Sequence, residues 1–153
     1  MWVWRITKAS RPSFDGEGAR LYGGRWNHPG TSVVYAAGSL SLAALEFFVH
    51  LDADDPPDLA SIGAEIPDDV RIQRLDESVL PAGWRASPPP TSLADLGSAW
   101  VREAVTAVLA MPSAIVPRET NYLLNPAHSD FNRIKVSKPE PFALDSSAYF
   151  GPS

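Results

Sequence analysis

The sequence predicts an α+β fold, a single domain with a mixed β-sheet core and a few helices. Runs rich in β-branched and aromatic residues occur at 2–7 and 31–36, and 59–66 reads as a further strand, each short enough for one. Two stretches follow helical spacing, one over 39–51 and one starting at Thr91 or Ser92. The connections hold many of the fifteen prolines, which favours loops between elements over a helical bundle. A chain of 153 residues suits one domain with one sizeable core. No internal repeat and no second domain is visible, so the core is set at about 4–144 and the tail at 145–153.

Composition excludes several classes. There is no cysteine, hence neither a disulfide framework nor a thiolate metal site, which fits a reducing cytoplasm. His28, His50 and His128 share no metal-ligand spacing, so no metal is expected. No apolar run approaches the roughly 20 residues that span a bilayer, and 1–6 is too short and too aromatic for a signal peptide. A net charge of −5 argues against non-specific nucleic-acid binding.

In chain order, 2–7 alternates and forms the first strand. Arg5 lies inside it, either as an outward strand charge or as a guanidinium holding a phosphate or carboxylate from the floor of a cleft. Residues 9–24 are polar and glycine-rich, and 14–18 reads as a loop able to fold over a ligand. No strand–glycine–helix unit follows it, which excludes a dinucleotide fingerprint. Gly23-Gly24-Arg25-Trp26-Asn27 then runs to the Pro29-Gly30 turn. Arg25 presents a planar fork suited to phosphate or carboxylate, and can equally be a packed ion pair. The strand at 31–36 carries Tyr35, by pattern a core residue.

The helix over 39–51 is apolar nearly all round, and Glu46 is the only formal charge between Arg25 and Asp52. A carboxylate there needs a partner, because an unpaired buried charge is costly. Arg25 is one candidate, and a cationic ligand or developing positive charge is another. The acidic run 52–57 reads as a solvated loop without calcium-site spacing. Strands follow at 59–66 and 70–75 around a Pro67-Asp68-Asp69 turn, the second with one wet face. Residues 80–90 form a proline-rich loop that Trp84 pins to the body. Thr91 or Ser92 caps the second helix, which continues through Trp100, Val101, Ala104, Val105 and Val108. Residues 111–117 form a short apolar strand. Ser113 is its one hydroxyl, a core serine or a hydrogen-bond donor to a ligand, with no Gly-x-Ser-x-Gly elbow to make it a nucleophile. Asn121 and Asn125 flank the approach to a Pro126 turn and brace loops. Closing strands are expected at 131–136 and 141–144, and a frayed or partner-bound tail follows Asp145.

Taken together in order, Gly23-Gly24-Arg25-Trp26-Asn27, Val34-Tyr35-Ala36, Ala43-Ala44-Leu45-Glu46, Pro112-Ser113-Ala114-Ile115-Val116-Pro117 and Glu119-Thr120-Asn121-Tyr122-Leu123-Leu124-Asn125-Pro126 resemble the RES domain family. The likeness runs from Trp4 to about Leu144. It implies a fold similar to ADP-ribosyltransferases and a toxin of a toxin–antitoxin pair. NAD is then the substrate, with no separate cofactor, and its nicotinamide–ribose bond is cut with water or phosphate as acceptor. The resemblance also implies an Xre-type helix-turn-helix antitoxin as partner, to which DNA binding would belong, and self-association compatible with a homodimer. Carried over by motif, Arg25, Tyr35, Glu46 and Ser113 form the implied active-site set, with Asn125 and Arg5 as further substrate-binding candidates. Glu46 would face the developing positive charge, Arg25 would grip the pyrophosphate, Tyr35 would stack on nicotinamide or bind ribose, and Ser113 would bind the amide or orient Glu46. Two rivals stay open: mono-ADP-ribosyl transfer to a protein, and a non-catalytic partner module built on a structural Arg–Glu pair. Many relatives carry Asp-Pro-Arg where this chain has Asp145-Ser146-Ser147.

Overall fold

The computed structural model describes residues 1–51 and 57–144. The acidic run at 52–56 and the tail from Asp145, including Asp145-Ser146-Ser147, lie outside the described residues. The fold is the expected single α+β domain. Its elements are β1 (Trp2–Lys8), α1 (Glu17–Tyr22), β2 (Val34–Ala37), α2 (Leu40–Val49), β3 (Leu59–Glu65), β4 (Ile72–Arg74), α3 (Thr91–Glu103), β5 (Val108–Pro112), β6 (Thr120–Leu124), β7 (Lys135–Val136) and β8 (Glu140–Phe142). Short 3-10 turns occupy Glu77–Val79 and Ser129–Arg133.

Among the described residues, eight strands make one mixed sheet in the order β4-β5-β6-β2-β1-β3-β7, with β8 pairing the other end of β3. Every pairing is antiparallel except that of β4 with β5. β1 pairs with β3 along its whole length, from Trp2–Glu65 to Lys8–Leu59, but touches β2 only at Trp4–Ala37. The sheet therefore splays between β1 and β2.

Strand alternation gives the sheet two faces. Trp4, Ile6, Tyr35, Ala37, Leu123 and Met111 point to the face covered by α2, Trp26, Trp84 and α3. Val3, Val34, Ala36, Tyr122, Leu124 and Val108 point to the other, where Phe14, Phe131 and Ile134 close the core. α2 lies close to its face because its buried positions after Leu42 are only Ala43 and Ala44.

Several boundaries differ from expectation. α1 forms inside the expected 9–24 loop, between two positive-φ glycines, Gly16 and Gly23. The 31–36 strand begins at Val34 and the 70–75 strand shrinks to Ile72–Arg74. Thr91 is already helical, and Pro90 stands at the cap with no side-chain hydrogen bond. α3 stops at Glu103 because Ala104 turns left-handed, with φ of 52°. The β-branched run beyond it favours strand, and the Trp100 indole N–H, donating to the Thr106 hydroxyl at 3.0 Å, fixes the exit. Val108 therefore starts β5, and 113–117 is a turn rather than a strand. The 119–128 segment, expected as braced loop, contains β6. The first half of the expected closing strand at 131–136 falls in the second 3-10 turn, leaving two residues in β7. Trp84 is buried, as the pinned loop requires.

Candidate active site

The site grows from the start of α2. The Ser39 hydroxyl accepts from the Leu42 amide at 3.1 Å and caps the helix. One turn beyond Leu42, on the same side of the helix, comes half-buried Glu46. Its Oε1 receives two hydrogen bonds of 2.7 Å, one from the Ser113 hydroxyl and one from the Asn121 side-chain amide. Oε2 takes no hydrogen bond from any described residue. The carboxylate is thus gripped by one oxygen and presents the other.

Ser113, the first residue after β5, is fully buried. Its Oγ also accepts from the amides of Ile115 and Val116, both at 3.1 Å. A hydroxyl has one proton and two lone pairs. Both lone pairs serve the turn, so the proton is directed at Glu46. Of the two roles implied for Ser113, the geometry matches the orienting one, since the buried hydroxyl has nothing left for a ligand.

Asn121 is the site residue that sequence reasoning missed. Reading 119–124 as the partner strand of the segment before Ser113 would have found it, because β5 and β6 pair Met111 with Asn121. Asn121 Oδ1 is buried without a hydrogen-bond partner among the described residues.

Arg25 sits in the tight turn closed by Gly24 and Asn27, whose backbones bridge at 3.0 Å. Tyr35 organises this turn. Its hydroxyl accepts from the Trp26 amide at 3.0 Å and donates to Asn27 Oδ1 at 2.6 Å. Burial pushes that phenol well above its usual pKa. A Cβ on Gly24 would stand 2.6 Å from the Tyr35 hydroxyl oxygen, so this position requires glycine. The Tyr35 hydroxyl gives its proton and one lone pair to the turn, so it has no proton left for a ligand.

Arg25 Nη1 donates to the carbonyls of Trp84 at 2.7 Å and Ala86 at 3.0 Å. Burial lowers its pKa, with the Glu46 charge and Tyr35 opposing. Arg25 as the direct partner of Glu46 is corrected: no ion pair joins them among the described residues, and the partners are neutral Ser113 and Asn121. The arginine's Nε and Nη2 make no hydrogen bond to described residues.

The structure does not bring the other two candidates here. Alternation sends Arg5 with Val3 to the sheet face opposite α2. There its guanidinium donates to the carbonyls of Ser13 at 3.1 Å and Tyr35 at 3.3 Å. Burial lowers its pKa and Asp15 partly restores it. Asn125, fully buried, lies past the end of β6 remote from Asn121. It donates to the Val101 carbonyl at 3.2 Å and accepts from the Ala127 amide at 3.0 Å, the loop brace its sequence context suggests.

A hollow of about 210 Å³ adjoins the Arg25 turn, bounded by Tyr22, Gly24, Asn27, Pro89 and Thr91. A second, of about 350 Å³, lies by Arg74, Pro112 and Arg118. Glu46 lines neither. Among the described residues no group of three His, Asp or Glu side chains is placed to hold a metal, and no helix is long and apolar enough to cross a membrane.

The RES domain family model matches residues 3–145. The chain is 40% identical over 149 residues to a Sphingobium sp. (strain YBL2) protein named Prs ADP-ribosylating toxin, covering 93% of this chain and 92% of that one. It is 40% identical over 150 residues to a protein of Photorhabdus laumondii named Toxin Res, covering 95% and 96%. A Pseudomonas putida protein, also named Toxin Res, is 36% identical over 152 residues, covering 97% and 100%. In shape, the fold matches a chain in the crystal structure of the M. tuberculosis MbcT–MbcA toxin–antitoxin complex, with a TM-score of 0.77 over 92% of this chain and 83% of that one. Identity there is 17%, so this likeness speaks for the fold alone.

Proposed function

The chain belongs to the RES domain family, and from that premise we propose that it is the toxin of a toxin–antitoxin pair and that it cleaves the nicotinamide–ribose bond of NAD. The observation that carries this reading is the half-held carboxylate of Glu46, with Oε1 clamped by Ser113 and Asn121 and Oε2 left open.

Breaking this bond takes the electron pair of the C–N bond onto nicotinamide, which leaves as a neutral base. Positive charge then spreads over the ribose, as in glycoside hydrolysis. A carboxylate oxygen fixed beside that carbon interacts more strongly with the transition state than with the ground state. Two neutral donors hold Glu46 in place without cancelling its charge, as a paired arginine would. Water adds to the cation and loses a proton, giving ADP-ribose; phosphate as acceptor gives a phosphorylated ADP-ribose. The unbonded Nε and Nη2 of Arg25 suit a pyrophosphate oxygen pair.

A second reading is transfer of ADP-ribose to a protein acceptor, favoured by the name of the Sphingobium relative. The donor chemistry is the same. The partner in this proposal is a helix-turn-helix antitoxin of Xre type that covers the site, and the cytoplasm, where NAD and such a partner meet, is the place of action.

The test is NAD consumption by the purified chain, with and without phosphate, beside Glu46→Ala. Free nicotinamide with ADP-ribose or its phosphorylated form, lost in the variant, supports cleavage. Label from the adenylate half of NAD retained on a macromolecule supports transfer. Folded protein that neither binds nor consumes NAD refutes both.

A further inference from the structure

We infer that Arg85, a residue outside the set just described, is a positioning residue that aims Glu46 through the Ser113 turn; the inference rests on the reading of Glu46 as the reacting carboxylate. Five hydrogen bonds in three successive links build it. Arg85 Nε donates to the Ala114 carbonyl at 2.8 Å and its Nη2 reaches the Ile115 carbonyl at 3.4 Å. The Ile115 and Val116 amides fill both lone pairs of the Ser113 hydroxyl. That hydroxyl gives its only proton to Glu46 Oε1. Ala114 and Ile115 are thus held from outside by Arg85 while Ile115 and Val116 hold Ser113 from inside.

The strap of residues 84–86 that carries Arg85 is itself anchored. Residues 84–86 are fixed by buried Trp84 and by Arg25 Nη1, which grips the carbonyls on either side of Arg85. Arg25 and Glu46 do not touch, yet one continuous run of contacts joins them: Arg25, strap, Arg85, turn, Ser113, Glu46. Such a chain of packed and hydrogen-bonded groups is what transmits position between separated residues. Arg85 itself is exposed, so its removal leaves the core untouched. What changes is the freedom of the turn. Once the turn is loose, the Ser113 hydroxyl can rotate away from Oε1, and small misplacements of a reacting group cost rate steeply.

The experiment compares wild type, Arg85→Ala and Arg85→Lys in NAD turnover and in amide hydrogen exchange. In Arg85→Ala, kcat is expected to fall roughly tenfold to a hundredfold, with KM within about twofold because Arg25 keeps its grip on the strap. The Ile115 and Val116 amides should exchange about tenfold faster or more, with Leu109 in β5 unchanged. Arg85→Lys, which keeps one donor for the Ala114 carbonyl, should recover most of both. Unchanged exchange at Ile115 and Val116, or a kcat within twofold of an active wild type, overturns the inference. A wild type that does not consume NAD instead sinks the functional reading, and the exchange arm still decides whether Arg85 holds the turn.

Discussion

Two side chains, Ser113 and Asn121, converge on one oxygen, and this convergence makes a sharp prediction at the scale of single residues. Ser113→Ala and Asn121→Ala each remove one of two restraints on Glu46, so each should lower kcat by about tenfold or more. Because both act on Oε1, the double variant should lose less than the product of the single losses. Independent, multiplicative losses in steady-state kinetics would show that the two residues serve different groups. Ser113→Ala carries a stability cost as well. It leaves the Ile115 and Val116 amides without their acceptor, at about 1–3 kcal/mol, measurable by denaturant titration.

Tyr35 works through the Arg25 turn. Tyr35→Phe strips the Trp26 amide of its acceptor and Asn27 Oδ1 of its donor. We expect a loss of about 1–3 kcal/mol and a raised KM for NAD with a smaller change in kcat. A normal KM in a folded Tyr35→Phe protein would mean that Arg25 holds its place without the phenol.

At the scale of elements, α3 shows how close approach outweighs intrinsic preference. Replacing glycine by alanine inside a helix ordinarily stabilises by up to about 1 kcal/mol. At Gly97, in the middle of α3, a Cβ would fall 1.8 Å from the Trp26 carbonyl oxygen, an impossible contact with backbone. The next residue, Ser98, takes the His28 amide on its Oγ at 3.0 Å, so α3 is docked on the segment that carries Arg25. Gly97→Ala must push the two apart and should cost about 3 kcal/mol or more. Gly18 in α1 has ordinary φ and nothing within 4 Å of an added Cβ. There the same substitution should stabilise by about 0.5 kcal/mol. Thermal melts of the two variants should move in opposite directions; a shared sign would contradict the placement of α3 on Trp26.

The whole molecule brings together groups that are far apart in sequence. Arg25 precedes β2, Glu46 rides α2, Ser113 directly follows β5 and Asn121 lies in β6, and the β5–β6–β2 ladder holds them in place through Leu109–Leu123–Tyr35. A ligand seated on this assembly stabilises the entire fold by mass action, about 2.7 kcal/mol at a hundred times its Kd. For a domain of this size that is roughly 5–10 °C in Tm. NAD added to Glu46→Gln, which should bind without turning over, is expected to give this shift, and Arg25→Ala should abolish it. No shift at saturating NAD in Glu46→Gln would argue against a preformed NAD site.

What the sequence by itself determined was local. Alternation marked β1, the Ser39 cap and apolar run marked α2, and the isolation of Glu46 within that run marked it as needing a partner. The motif order marked the family. Which partner Glu46 takes was decided by tertiary structure, because Ser113 and Asn121 stand 67 and 75 residues away and hairpin register, not periodicity, brings them to one oxygen. The same holds for the residues that did not converge. Alternation shows that Arg5 and Ile6 face opposite ways, but only the packing of α2 on the Ile6 side decides that Arg5 faces away from Glu46. Asn121 lies in β6 and Asn125 just past its end, and only the strand's pairing with β2 and β5 decides which of the two meets the carboxylate. Local periodicity records which face a residue is on; the closing of distant segments decides what that face meets.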